Sequence, residues 1–169
     1  FTTHLSGSLS ESGYVTGKLD KSLTLSGGFG SSSFGNIGTT INWSGVAPGA
    51  TTVVRTSGIA LTATATGNSS IKRYYDITPT VNTGLDATLV FKYSDVELGE
   101  QTPATLSLWK STDGGTTWRN QGGLVDATAR TITKSGINSF SRWTASDATH
   151  PLGPVSVEGV AEHLAASMG

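Results

Sequence analysis

The sequence predicts an all-β fold, and three observations carry that prediction. Gly accounts for 22 of 169 residues, with Ser and Thr abundant throughout. That composition suits short strands and tight turns, because β-branched Thr favours extended backbone and Gly weakens helices. Apolar residues recur with a period of two in several short runs, not with the 3.6 period of a helix. Gly, Pro, Asn and Asp punctuate these runs at the spacing seen in sandwiches and barrels. The expected architecture is an antiparallel β-sandwich, immunoglobulin-like or jelly-roll-like, over residues 1–145. It reads as one domain or as two halves, 1–70 and 71–145, followed by a linker and tail over 146–169.

Each element has its own warrant. Residues 1–17 alternate weakly, with Leu5, Leu9, Tyr14 and Val15 interrupted by Gly7 and Gly13. A short strand is expected around Leu23 and Leu25, ended by Gly27-Gly28, and residues 28–40 read as loop. A strand carries Ile41 and Trp43, a turn falls at Pro48-Gly49, and a strand follows through Val53 and Val54. Leu61, Ala63 and Ala65 alternate with Thr62, Thr64 and Thr66, the clearest strand pattern of the N-terminal half. Further strands are expected within 71–80, 87–95, 105–111, 116–123, 129–136 and 138–146. Leu89, Phe91 and Tyr93 share one face of theirs, and Leu106 and Leu108 share another. In the tail, Pro151 and Pro154 read as linker. Val157, Val160, Ala161, Leu164 and Ala165, with Ser156 as N-cap, predict a short amphipathic helix, with an extended segment as the alternative.

Composition excludes several function classes. Charged residues make up 14% of the chain and the net charge is −1, so no basic footprint for nucleic acid or an anionic membrane exists. No cysteine is present, which removes disulfides, thiolate metal sites and cysteine nucleophiles. No apolar run reaches the ~20 residues of a membrane-spanning helix, so no membrane insertion is expected. Phe1 reads as a processed N-terminus or the start of an excerpt. His4, His150 and His163 lack metal-ligand spacing, no G-x-S-x-G elbow occurs, and the Gly-rich residues 28–35 lack the context of a phosphate loop. No catalytic residue is assigned, and the chain is read as a non-enzyme.

One motif stands out. Ser111, Asp113, Gly115, Thr117 and Trp118 form S-x-D-x-G-x-T-W, the Asp-box of sugar-active β-propellers. Its mechanics are those of a hairpin turn. The Asp carboxylate accepts backbone N–H groups, Gly takes positive φ, and Trp packs beneath. A propeller needs far more chain than this, so the motif is expected to act as a structural turn. Trp109 and Trp118 would then sit nearly opposite each other on adjacent strands. With Trp43 they are candidate sugar-stacking residues for a polysaccharide; the alternative is core packing or a hairpin clamp. Asp95, Glu97 and Glu100 form the densest carboxylate group. They read as solvated charges ending a strand, as a candidate Ca²⁺ site, or as a glycosidase acid/base pair. No other cofactor is expected. Asn42-Trp43-Ser44 and Asn68-Ser69-Ser70 match the short N-glycosylation sequon.

Residues 12–148 also carry a set of motifs. These are the opening residues 12–23 (SGYVTGKLDKSL), Arg73-Tyr74-Tyr75-Asp76-Ile77-Thr78-Pro79, Tyr93-Ser94-Asp95 with Glu97-Leu98, the Asp-box hairpin, and Ile137-Asn138-Ser139-Phe140-Ser141-Arg142-Trp143. Together they resemble β-rich modules near the C-terminal side of large secreted and surface proteins of Bacteroidota-type bacteria. Those proteins are adhesin-like, and many end in a type IX secretion sorting domain. Two features depart from the pattern: Phe34 is followed by Gly35 without the proline of a Phe-Pro segment, and no sorting domain follows Leu152. The resemblance implies an extracellular spacer, stalk or adhesion module at the bacterial cell surface, with no catalytic residues. The expected function is a structural or adhesion module, or a self-assembling surface filament subunit. Its partners would be copies of itself or neighbouring modules of a larger surface protein, met through edge strands and terminal segments. The alternative is a carbohydrate-binding module.

Overall fold

The structure is a computed structural model that describes residues 1–154. The expected helix beginning at Ser156 lies outside the described residues. In chain order the strands are β1 (Thr2–His4), β2 (Gly17–Leu25), β3 (Gly30–Ser32), β4 (Thr39–Trp43), β5 (Gly49–Ser57) and β6 (Arg73–Pro79). They continue with β7 (Ala87–Lys92), β8 (Ser107–Ser111), β9 (Arg119–Gly122), β10 (Leu124–Asp126), β11 (Thr131–Ile137) and β12 (Arg142–Ser146). Two single 3₁₀ turns, Asp95–Glu97 and Pro103–Thr105, lie between β7 and β8. The strands form two sheets, one of seven in the order β1-β2-β5-β6-β12-β8-β9 and one of five in the order β10-β11-β7-β4-β3. Pairing is antiparallel except between β1 and β2. The fold is therefore the all-β sandwich that composition and periodicity predict.

Alternation explains the core. In β7, Ala87, Leu89 and Phe91 are buried and face Trp43, Ile41 and Thr39 of β4 in register. From the other sheet, Val53, Tyr75, Ile77, Trp143 and Ala145 enter the same hydrophobic cluster. Tyr75 and Phe91 meet across it edge to face, with ring centroids 5.0 Å apart at 88°. Such a pair contributes ~0.5–1.5 kcal/mol beyond the area it buries, and each fully buried Leu or Phe contributes roughly 1.5–3 kcal/mol. The chain passes from β9 into the second sheet at Gly122-Gly123. At Gly123 φ is +120° and any Cβ would collide with Ile132, so this corner requires glycine.

The structure departs from the sequence reading at several points. Residues 61–66 alternate cleanly but form no strand: a single bridge, Thr62 to Ser69, is all the pairing there. The loop lies instead on the outer face of the seven-stranded sheet, where Ala63 and Leu61 pack with Trp109, Trp118 and Leu152. Packing against that face overrides the local period of two. Within residues 28–40, expected as loop, Gly30–Ser32 pair with β4, and β10 is an additional short strand. Residues 146–154, expected as the start of the linker, pack on the domain. Ser146 still belongs to β12, Asp147 and Leu152 are buried, and a Cβ at Gly153 would strike the Trp118 carbonyl. Residue 70 is no packing boundary either. β5 pairs with β6 over seven positions, β4 pairs with β7, and one core draws on both sides.

A shared core predicts shared unfolding. Ile41→Ala and Leu89→Ala, one from each side of residue 70, should each cost about 2–5 kcal/mol and shift the same single urea transition. Fluorescence and far-ultraviolet dichroism should trace that transition with coincident midpoints; separate transitions would mean two independent halves.

Candidate functional site

The Ser111–Trp118 turn joins β8 to β9. Asp113 Oδ1 accepts the Thr116 and Thr117 N–H groups at 3.1 and 2.9 Å, and its Oδ2 accepts the Thr117 hydroxyl at 2.6 Å. Ser111 Oγ donates to Asp113 Oδ1 at 2.7 Å and accepts the Gly115 N–H at 2.8 Å. Gly115 has φ +100°, a conformation that side chains resist. The hydrogen bonds from Thr117 and Ser111 hold the Asp113 carboxyl down at about 2. A second clamp, unsuspected from the sequence, ties the turn to the sheet. Arg142 donates to Gly114 O at 2.7 Å, grips both Asp76 oxygens at 2.6 and 2.9 Å, and lies 4.8 Å over the Tyr74 ring.

The candidate sugar platform is not there. Trp109, Trp118 and Trp43 are 2%, 4% and 6% exposed. Trp109 faces Asn120 in register, so Trp118 is its diagonal rather than direct neighbour. Both indoles lie under Ala63 and Leu152, and Trp43 belongs to the main core. A cleft of about 700 Å³ beside them is lined by Thr117, Trp118, Arg119, Asn120, Gln121 and Leu152, to which Trp118, at 4% exposure, contributes little open surface.

The three carboxylates also part company. β7 ends at Lys92, and the following 3₁₀ turn rotates Asp95 and Glu97 away from each other. Asp95 pairs with Arg130 at 2.6 Å on the surface. Glu97 is fully buried, accepting Arg73 Nε at 2.9 Å through one oxygen and the Ser94 N–H at 2.8 Å through the other. Glu100 is exposed. Among the described residues no group of three acidic or histidine side chains is placed to hold a metal. With Glu97 committed to Arg73, neither the Ca²⁺ reading nor the acid/base reading keeps its donor set.

Two buried arginines are the polar features that motif reading missed. Arg55 is 1% exposed, and both its terminal nitrogens donate to Glu11, at 3.0 and 2.6 Å. It also donates to Ile37 O at 3.1 Å. Arg73 donates to Glu97, to Tyr75 Oη at 3.3 Å and to Lys92 O at 3.1 Å. Their signal was parity: Arg55 occupies the inward phase of Val53, and Arg73 that of Tyr75 and Ile77. Elsewhere, buried Asp147 accepts the Thr102 N–H at 2.6 Å, the Thr149 hydroxyl at 2.9 Å and His150 Nδ1 at 2.7 Å. Burial pushes its carboxyl up, but these donors outweigh burial and hold it at about 2.

The N-terminal segment forms the remaining site. β1 adds to the edge of the seven-stranded sheet in parallel, matching Thr2 to Lys18 and His4 to Asp20. Beyond it, Leu5 N donates to Asp20 O at 2.9 Å, and Lys21 Nζ reaches the carbonyls of Leu5, Ser6 and Gly7. The Leu9 N–H donates to Gly35 O at 2.6 Å, and Leu5 and Leu9 pack on the core. Glu11 then closes over Arg55, whose hydrogen bonds lower its pKa. Among the described residues, the outer sides of β1, β9, β3 and β10 have no strand partner.

The chain matches no family model, no curated protein and no solved structure. Among the described residues, no helix is long and apolar enough to cross a membrane.

Two expectations follow from these charges. Glu97→Gln leaves Arg73 buried without its counter-charge and should cost about 3–5 kcal/mol by chemical denaturation, whereas chelator should leave the wild-type Tm in place; a chelator-induced drop would restore the calcium reading. Asp147 is depressed from 3.8 to about 2 in the folded state, so its contribution is complete above the unfolded value and fades as pH falls through the folded one. Tm should therefore decline between pH ~4 and ~2, and Asp147→Asn should flatten that part of the profile.

Proposed function

We propose that this domain is a non-enzymatic structural and adhesion unit of extracellular, bacterial cell-surface architecture. It serves as a module of a longer surface protein or as a subunit of a filament, joined to its neighbours through sheet edges and its N-terminal segment. The observation that carries the reading is the edge itself. β1 is three residues long, exposed throughout, and held to the domain on one side alone among the described residues. An open strand edge is a template for backbone pairing, and a protein that leaves one uncovered gains a docking surface or an aggregation hazard. The carboxylates named as catalytic candidates support the non-enzymatic part, because Glu97 is committed to buried Arg73 and Asp95 to surface Arg130. The resemblance to surface modules supports the location.

Antibody labelling of intact cells of the native host, with intact-mass measurement of the released material, tests the reading. Expected are surface labelling and a species that is either a 17.4 kDa subunit drawn from fibres or a much larger chain containing this domain. Labelling that appears only after lysis would overturn it.

A further inference from the structure

We infer that residues 2–11 form an exchangeable strap, and that the groove beneath it takes the same segment from a second copy of this chain. The inference rests on the reading above, that copies join through terminal segments, and names the segment, the receiving groove and the partner.

The groove has a fixed chemical demand. A guanidinium stays protonated in a protein, so Arg55, buried to 1%, always requires an anion. Its carboxylate partner is Glu11, bound through both oxygens and supplied by the strap rather than by either sheet. Arg55 Nε is buried without a hydrogen-bond partner, so losing Glu11 would leave the head group with the Ile37 carbonyl alone and no counter-charge. Around this charge the groove offers apolar seats for Leu5 and Leu9, the Gly35 carbonyl for the Leu9 N–H, and Lys21 for three strap carbonyls. The free side of β2 supplies the parallel ladder to Thr2–His4.

The strap is held at these points and tethered loosely. Between Glu11 and the start of β2, residues 12–16 are all exposed, and open space surrounds the Cβ position of Gly13. Tyr14 and Thr16 are its points of contact with the domain, both beside Gly58, and Gly13 leaves the chain free to turn ahead of them. Because every copy carries both the groove and the segment that fits it, a second copy restores every contact named here: Leu5, Leu9, Glu11 and the β1 ladder. Only the tether changes, which makes exchange a low-cost route to assembly. Reciprocal exchange closes a dimer. One-way exchange leaves a free strap at one end and an open groove at the other, and the contact propagates.

The native chain has no cysteine, which gives a clean test on the full chain. Thr2→Cys chains are mixed with Lys18→Cys chains, positions that face each other across the β1–β2 ladder. Under mild oxidation the mixed disulfide dimer should form severalfold more than with Thr24→Cys, an exposed position at the far end of β2. Glu11→Gln in the Thr2→Cys chain should speed its formation by roughly tenfold, the order expected for losing one charge-assisted pair. Joining Thr2→Cys and Lys18→Cys within one chain should lock the strap and hold the protein monomeric by light scattering. Equal yields with Lys18→Cys and Thr24→Cys would overturn the inference. So would self-association that persists in the locked chain, although that result would leave edge-to-edge joining intact. Intracellular location with no self-association would remove both readings.

Discussion

Two arginines pointing into a β-sandwich impose the constraint on which much of this structure depends. A guanidinium inside a core cannot be neutralised and is costly to leave unpaired. Each therefore recruits chain from elsewhere. Arg73 draws in the 3₁₀ turn that carries Glu97 and the carbonyl of Lys92 at the end of β7, and so ties the two sheets together at one end. Arg55 draws in the N-terminal segment through Glu11 and the β3–β4 connection through the Ile37 carbonyl. The loops at this end of the sandwich are arranged around two positive charges.

Around that arrangement the hydrophobic packing is conventional on one side and unusual on the other. The inner faces of the two sheets interdigitate through residues such as Leu89, Phe91, Tyr75 and Trp143. The outer face of the seven-stranded sheet is not left to solvent. Residues of the long β5–β6 loop and of the segment after β12 cover Trp109 and Trp118, adding a partial third layer. That cover joins the local and global parts of the fold. Asp113 organises the turn of the hairpin, Arg142 fastens the turn to β6, and Asp147 anchors the segment that brings Leu152 over the two indoles.

The candidate sites divide along the same line between local and distant partners. A turn that uses donors within a few residues of Asp113 is readable as a string, and the hydrogen bonds fall on the residues the motif contains. Sugar stacking by Trp109 and Trp118 was not decidable that way. Whether an indole is open depends on what lies above it, and here that is Ala63, some forty-six positions before Trp109. Asp95 and Glu97 look like a cluster because they are two positions apart in the chain. Their partners, Arg130 in the turn before β11 and Arg73 on β6, pull them apart.

By itself, the sequence determined the class of fold and most of its strands, because the period of two, the β-branched and aromatic content, and the glycine punctuation act over a few residues. It determined the local mechanics of the Ser111–Trp118 turn for the same reason. Tertiary structure alone decided that the alternating residues 61–66 become a cover rather than a strand, since the apolar face they bury against belongs to β8 and the residue preceding β9. It also decided that Glu11, in a weakly patterned N-terminal segment, is the counter-charge of a buried arginine forty-four residues away. Nothing in the spacing of two charges along a chain reveals that they meet; the topology of the sheets brings them together, and the cost of a buried, unpaired guanidinium holds them there.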